Sequence, residues 1–126
     1  MKPSECSGRA LAFLGDAVWS LSVRRYLIEK GVTRGKKLQK DSIAYVSAKA
    51  QAAFYSDLHE RNFFTEEEED VFRRGRNANE GAVPKNTDVQ TYRYSTGFEA
   101  MIGALDLEGK QDRIQEIFDE VVKEKN

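Results

Sequence analysis

Proline is nearly absent from this chain, occurring only at Pro3 and Pro84. Proline removes a backbone donor and clashes with the preceding turn, so it is the strongest local stop for a helix. With none between those two positions, nothing forces a helix to end over most of the sequence. Apolar spacing then sets the class. Leu11, Leu14, Val18 and Leu21 fall three and four residues apart, which predicts one face of a helix over residues 7–30, stopped by Gly31. A short basic stretch at 33–40 can hold one or two helical turns. A second long helix is expected from Asp41 or Ser42 to about Arg61, with Ile43, Val46, Ala50, Ala53, Phe54 and Leu58 on one side. Thr65 with Glu68 forms a capping box, its acids placed where the helix dipole favours them, and predicts a helix over 66–77 that buries Val71 and Phe72. Residues 77–86 hold Asn, Gly and Pro without a period and read as a loop. A helix over 89–107 ends at Gly109, and a last one from 111 to about 122 sets Ile114, Ile117, Phe118 and Val121 on one stripe. No strand pattern is convincing. The expectation is an all-α chain of five main helices, and 126 residues without a linker fit one domain, 1–126.

Composition narrows the chemistry. The single cysteine, Cys6, excludes a disulfide framework and a cysteine-based zinc site, and fits a reducing compartment. The single histidine, His59, excludes sites that need two imidazoles. No charge-free run approaches the ~18 residues of a membrane span, and the start Met1-Lys2-Pro3-Ser4 lacks the apolar core of a secretory signal. A soluble, cytoplasmic protein is expected. The net charge of −1 hides a block pattern: residues 24–49 carry +6, 50–70 carry −6, 71–98 carry +3 and 99–126 carry −4. Such asymmetry can build one positive and one negative face, or only solvated helix surfaces of alternating sign.

Two acids break the rule of apolar stripes with charges outside. Asp16 lies in Leu11-Ala12-Phe13-Leu14-Gly15-Asp16-Ala17-Val18-Trp19, and Glu99 in Gly97-Phe98-Glu99-Ala100-Met101-Ile102-Gly103-Ala104-Leu105. A buried carboxylate takes a proton, pairs with a cation or binds a metal. Gly15, Gly97 and Gly103 weaken their helices, which is tolerated where another backbone must come close. The two helices are therefore expected to pack tightly and bring Asp16 and Glu99 together. Converging carboxylates suit magnesium, which takes its remaining ligands from water and substrate phosphate and can activate a bound water for attack at phosphorus. The structural alternative pairs each acid with a core arginine such as Arg24 or Arg93. His59, in a polar helix end, and Cys6, near the terminus with no basic group to activate it, are weaker candidates. No glycine-rich phosphate cradle is present.

Basic residues gather around the predicted loop: Arg73, Arg74, Arg76, Lys85 and Arg93, interleaved with Asn77, Asn79, Asn86, Thr87, Gln90 and Tyr92. Cations neutralise phosphates, while amides and hydroxyls meet 2′-hydroxyls and base edges. The loop leads into the helix that carries Glu99, so what it binds lies near the proposed metal site. A second basic group, Arg34, Lys36, Lys37, Lys40 and Lys49, reads more simply as a solvated face.

These residues carry a resemblance. Phe13-Leu14-Gly15-Asp16-Ala17-Val18 resembles the core of the ribonuclease III signature, and Phe98-Glu99-Ala100-Met101-Ile102-Gly103-Ala104-Leu105 resembles the helix that supplies that family's second catalytic acid. Arg73-Arg74-Gly75-Arg76-Asn77-Ala78, with the segment from Pro84 to Thr96, closely resembles the family's mini-ribonuclease III branch. The likeness covers about 8–122. It implies a homodimeric, all-α, magnesium-dependent endoribonuclease, with the ribonuclease III endonuclease-domain fold, that cuts double-stranded RNA. The ends left are 5′-phosphate and 3′-hydroxyl, and each subunit's site cuts one strand. It implies a role in trimming 23S ribosomal RNA precursor, with a ribosomal protein bound to the substrate as a possible further partner. Asp16 and Glu99 match the two essential acids, and Phe13 matches an aromatic of the family's dimer interface. The chain leaves no room for the double-stranded-RNA-binding domain of full-length members.

Two positions depart from full-length members, which have a glutamate where this chain has Ala12 and an aspartate where it has Thr96. As the mini branch shares this reduction, activity is still expected, with weaker metal binding in the absence of RNA. Two rival readings stay open: a non-catalytic helical RNA-binding or ribosome-assembly module, and a dimeric helical interaction protein whose two acids are structural.

Overall fold

One helix is buried on nearly every side, and the others are arranged about it. The computed structural model describes residues 1–78 and 83–125. After a short 3-10 turn at Pro3–Glu5 come α1 (Gly8–Glu29), α2 (Gly35–Val46), α3 (Ala48–Glu60), α4 (Glu66–Asn77), α5 (Val89–Leu107) and α6 (Gln111–Lys125). The chain is all-α, with no strand among the described residues. The central helix is α5. Its Phe98 and the whole run from Ala100 to Leu105 are buried, and it packs against α1, α3, α4 and α6. A helix apolar all round has to sit at the centre, because it has no polar face to offer water. No described helix is long and apolar enough to cross a membrane.

The buried face of α1 differs from the expected one. Its inward row is Leu11, Gly15, Trp19, Val23 and Leu27, at unbroken four-residue spacing. Leu14 and Val18 are half-buried on the flank, and Leu21 is exposed. The inward row includes a glycine, which a count of bulky apolar residues cannot register.

The expected helix over 41–61 is instead divided between two helices, α2 and α3, so the described residues form six main helices rather than five. The break falls at Ser47, whose backbone is extended (φ −65°, ψ 154°) and whose hydroxyl accepts from the Ala50 N–H at 3.1 Å. Serine competes for backbone donors in this way, which makes it a helix starter. Ending α2 there also frees the Tyr45 carbonyl, and the buried Trp19 indole donates to it at 2.9 Å. The stripe expected to run through the break does not: Ile43 and Ala53 face solvent, while Phe54, Tyr55 and Leu58 enter the core.

The other elements follow their sequence signals. Thr65 and Glu68 form the expected reciprocal capping box at the start of α4. Glu68 is buried and forks against Arg113 of α6 at 2.8 and 2.9 Å, while Arg113 also donates to the Phe63 carbonyl at 2.7 Å. Burial would push the Glu68 carboxyl up, but the Arg113 guanidinium and the Thr65 backbone N–H hold it below the usual range. Gly109, at φ +72°, closes α5 in the left-handed conformation that suits glycine. Helix α6 buries the predicted Ile114, Ile117, Phe118 and Val121, and extends to Lys125. Its Phe118, with Phe54 and Phe98, surrounds Trp19 at centroid distances of 5.3, 6.4 and 4.9 Å.

Candidate active site

The site begins with a steric fact. A Cβ on Gly15 would lie 2.6 Å from the Glu99 carbonyl carbon, and closer still to its oxygen; one on Gly103 would lie 2.9 Å from the Leu11 carbonyl carbon. The backbones of α1 and α5 therefore touch at reciprocal glycines. On either side, Leu11 and Ala12 of α1 pack on Ala100 and Ala104 of α5. Small residues let the axes approach, and the approach sets Asp16, one residue past Gly15, beside Glu99.

The carboxyl pair is electrostatically unbalanced. Glu99 is pushed up to about 8, first by burial and then by the hydrogen bond and the negative charge of Asp16. Among the described residues neither acid forms an ion pair with Arg24 or with a lysine. Asp16 is exposed, whereas Glu99 is partly covered, so the pair opens to solvent on the α1 side. Concentrated negative charge, oxygen donors only and an open face fit a hard divalent cation. No group of three or more His, Cys, Asp or Glu gathers here among the described residues. Asp16 and Glu99 would hold such an ion with water and substrate oxygens completing its shell. The positions of the two departures carry no acid: Ala12 is buried against α5, and the Thr96 hydroxyl donates to the Tyr92 carbonyl at 3.0 Å.

One participant escaped the sequence reading. Gln51 of α3 is buried, and its amide donates to the second Glu99 carboxylate oxygen at 3.3 Å. The available signal was a glutamine one turn before Phe54 on the apolar side of its helix.

The basic residues are less uniform than their spacing implies. Arg73 is exposed at the surface of α4, paired locally with Asp70. Arg76 lies over the Phe72 ring at 5.8 Å and donates to the Asn77 side chain at 3.2 Å. Arg74 behaves differently: its guanidinium donates to the Cys6 and Pro3 carbonyls and so clamps the N-terminal segment to α4. That engagement sets it apart from the expected cluster. Lys85 and Asn86 are exposed, with Asn86 at φ +67°, and Arg93 is half-buried on α5. Asn79 lies outside the described residues. A second set of glycines places α4: a Cβ on Gly75 would lie 2.6 Å from the Ala100 Cβ, and one on Gly97 2.6 Å from the Phe72 ring. Helix α4 thus crosses α5 close to Glu99, with Arg76 next to the crossing glycine and Arg73 on the exposed face of α4. His59 takes no part here. It bonds to Glu69 at 2.5 Å and stacks on Tyr55, joining α3 to α4.

Comparison with known proteins agrees with this arrangement. Residues 9–110 match the Ribonuclease III domain. The chain is 48% identical over 111 residues to Mini-ribonuclease 3 of Streptococcus pneumoniae, covering 88% of this chain and 87% of that protein. With Mini-ribonuclease 3 of Enterococcus faecalis the identity is 40% over 119 residues, covering 94% and 90%. A crystal structure of a Fusobacterium nucleatum protein superimposes with a TM-score of 0.85 at 35% identity, covering 95% of this chain and 94% of that one. The domain match spans both carboxylates and Gly15, Gly75, Gly97 and Gly103, and with it the chain belongs to the ribonuclease III family of endoribonucleases.

Proposed function

We propose that this protein is a magnesium-dependent endoribonuclease that hydrolyses double-stranded RNA to 5′-phosphate and 3′-hydroxyl ends. It works as a homodimer of single nuclease domains spanning residues 1–126, in the cytoplasm, and its substrate is 23S ribosomal RNA precursor, with a ribosomal protein on that substrate as an additional partner. The observation that carries the reading is the carboxyl pair Asp16–Glu99 at the α1–α5 crossing, with Glu99 pushed up to about 8 by burial and by its neighbour. Two acids brought together at such a crossing, one of them shifted by burial, mark a candidate functional site.

The chain's own contribution can be stated residue by residue. Asp16 and Glu99 would hold the ion, with Glu99 in its ionised form. The ion, once bound, supplies an activated water and stabilises the leaving oxygen. Arg73, Arg76, Asn77, Lys85, Asn86 and Arg93 are the groups offered to phosphates and 2′-hydroxyls of the RNA. Helix α1 turns Phe13, 85% exposed, and Leu21, 55% exposed, to solvent two turns apart. An outward apolar row of this kind fits a second copy of the chain.

The test is cleavage of a long RNA duplex with and without magnesium, beside D16N and E99Q. Cutting should require magnesium and fall at least about 1,000-fold in both variants. Magnesium-dependent cutting that survives in D16N would sink the assignment, and binding without cutting by the wild type, on duplex and on ribosomal precursor alike, would favour the non-catalytic module. Contacts to phosphate should also show in the salt response. The double reversal R73E/R76E is expected to weaken duplex binding about 10-fold or more at moderate salt and to flatten its salt dependence, with the helical fold retained. Equal affinity in a gel-shift titration would remove α4 from the RNA face.

A further inference from the structure

The Asp16–Glu99 pair is flanked by a third side chain that is neither acidic nor basic. Gln51 is 1% exposed, and its amide points at the Glu99 carboxylate. A buried amide is costly unless it makes a bond that matters to the fold or to the site. Gln51 also sits on a rigid support. The Ser47 cap fixes the start of α3 one turn before it, and the next turn carries Phe54, packed on Trp19, and Tyr55, stacked on Phe72 at 3.5 Å. The amide is thus held on a helix packed against α1 and α4, while the long side chain of Glu99 also neighbours exposed Asp16.

The choice of a neutral donor has a physical consequence. An arginine or lysine at this point would orient Glu99 equally well, but it would cancel the negative charge that attracts a cation. An amide N–H fixes one carboxylate oxygen and leaves the charge in place, as supporting groups behind metal-bound carboxylates do. With no third acid at hand among the described residues, pre-orientation of the existing two is the available means of strengthening the site. We propose that Gln51 is a positioning residue that holds the Glu99 carboxylate in its ion-binding orientation from the α3 side. This inference rests on the reading of Asp16 and Glu99 as an ion site.

The experiment titrates Mn2+, without RNA, into wild type, Q51M, Q51N and D16N, following bound ion by electron paramagnetic resonance and the ion-induced rise in melting temperature. Methionine keeps the volume of Gln51 and loses the donor; asparagine keeps the amide and withdraws it by one carbon. Both are expected to weaken Mn2+ binding about 10-fold, with the metal-free fold retained, and to raise by a similar factor the Mg2+ concentration for half-maximal cleavage while the rate at saturating Mg2+ changes less. Should Q51M fail to fold, Q51N decides. Wild-type Mn2+ affinity in a folded Gln51 variant, with binding lost in D16N, overturns the role of Gln51 alone. Wild-type affinity in D16N overturns the ion site itself.

Discussion

Gly15→Ala should destabilise this protein more than any other single-methyl addition. The new Cβ would fall 2.6 Å from the Glu99 carbonyl carbon and 2.9 Å from the Gly103 nitrogen, where there is only backbone and nothing flexible to move aside. The helices must part along their crossing, at a cost of about 3 kcal/mol or more, read as a lower urea midpoint. Alanine is the better helix former, so local propensity would argue for the opposite sign; the sterics win because they exceed propensity severalfold. Gly103→Ala should behave alike, and adding it to G15A should cost less than it does alone, since the helices are then already apart. Gly35→Ala, with nothing near its Cβ, serves as the control and should stay within about 0.5 kcal/mol of wild type. A wild-type midpoint for G15A would mean that α1 and α5 do not meet there.

The second large effect concerns pH. The Glu99 carboxyl titrates near 8 in the fold against an ordinary value of 4.5. A group whose pKa is raised on folding stabilises the native state below its unfolded pKa, and that contribution drains away as pH climbs through the folded value. The metal-free protein should therefore melt several degrees lower at pH 8.5 than at pH 5. E99Q, which cannot ionise, should remove most of that slope and melt above wild type at pH 8.5. Magnesium or manganese should stabilise wild type at the alkaline end and leave E99Q unaffected. If the two acids were structural partners of cations, E99Q would instead melt lower at every pH. Differential scanning fluorimetry across pH, with and without metal, separates the two cases.

Much of the architecture could be read from the chain because its signals are local. The Thr65–Glu68 box, the stop at Gly109 and the stripe of α6 are written within one or two turns, and each appears where it was expected. The pairing of Asp16 with Glu99 was legible for a different reason. Glycines beside an acid inside an apolar helix make sense only if another backbone lies there, so the sequence carries a trace of its own tertiary contact. What escaped was whatever depended on a partner chosen from afar. Ser47 looks like any helical serine until the Trp19 indole claims the Tyr45 carbonyl. Gln51 sits on the apolar side of its helix, but nothing local says that Glu99 comes to meet it from α5. Arg74 belongs by spacing with Arg73 and Arg76, yet the carbonyls of Pro3 and Cys6 occupy it.

Trp19 is the sole tryptophan of the chain. Its indole N–H is committed to the carbonyl freed at the α2–α3 joint, its ring is packed among Phe54, Phe98 and Phe118, and its helix reaches Asp16 one turn earlier. Four helices thus converge on one fluorophore. The protein carries a built-in optical gauge whose emission reads the integrity of the core and of the joint that holds α3 in place, with no label to disturb either.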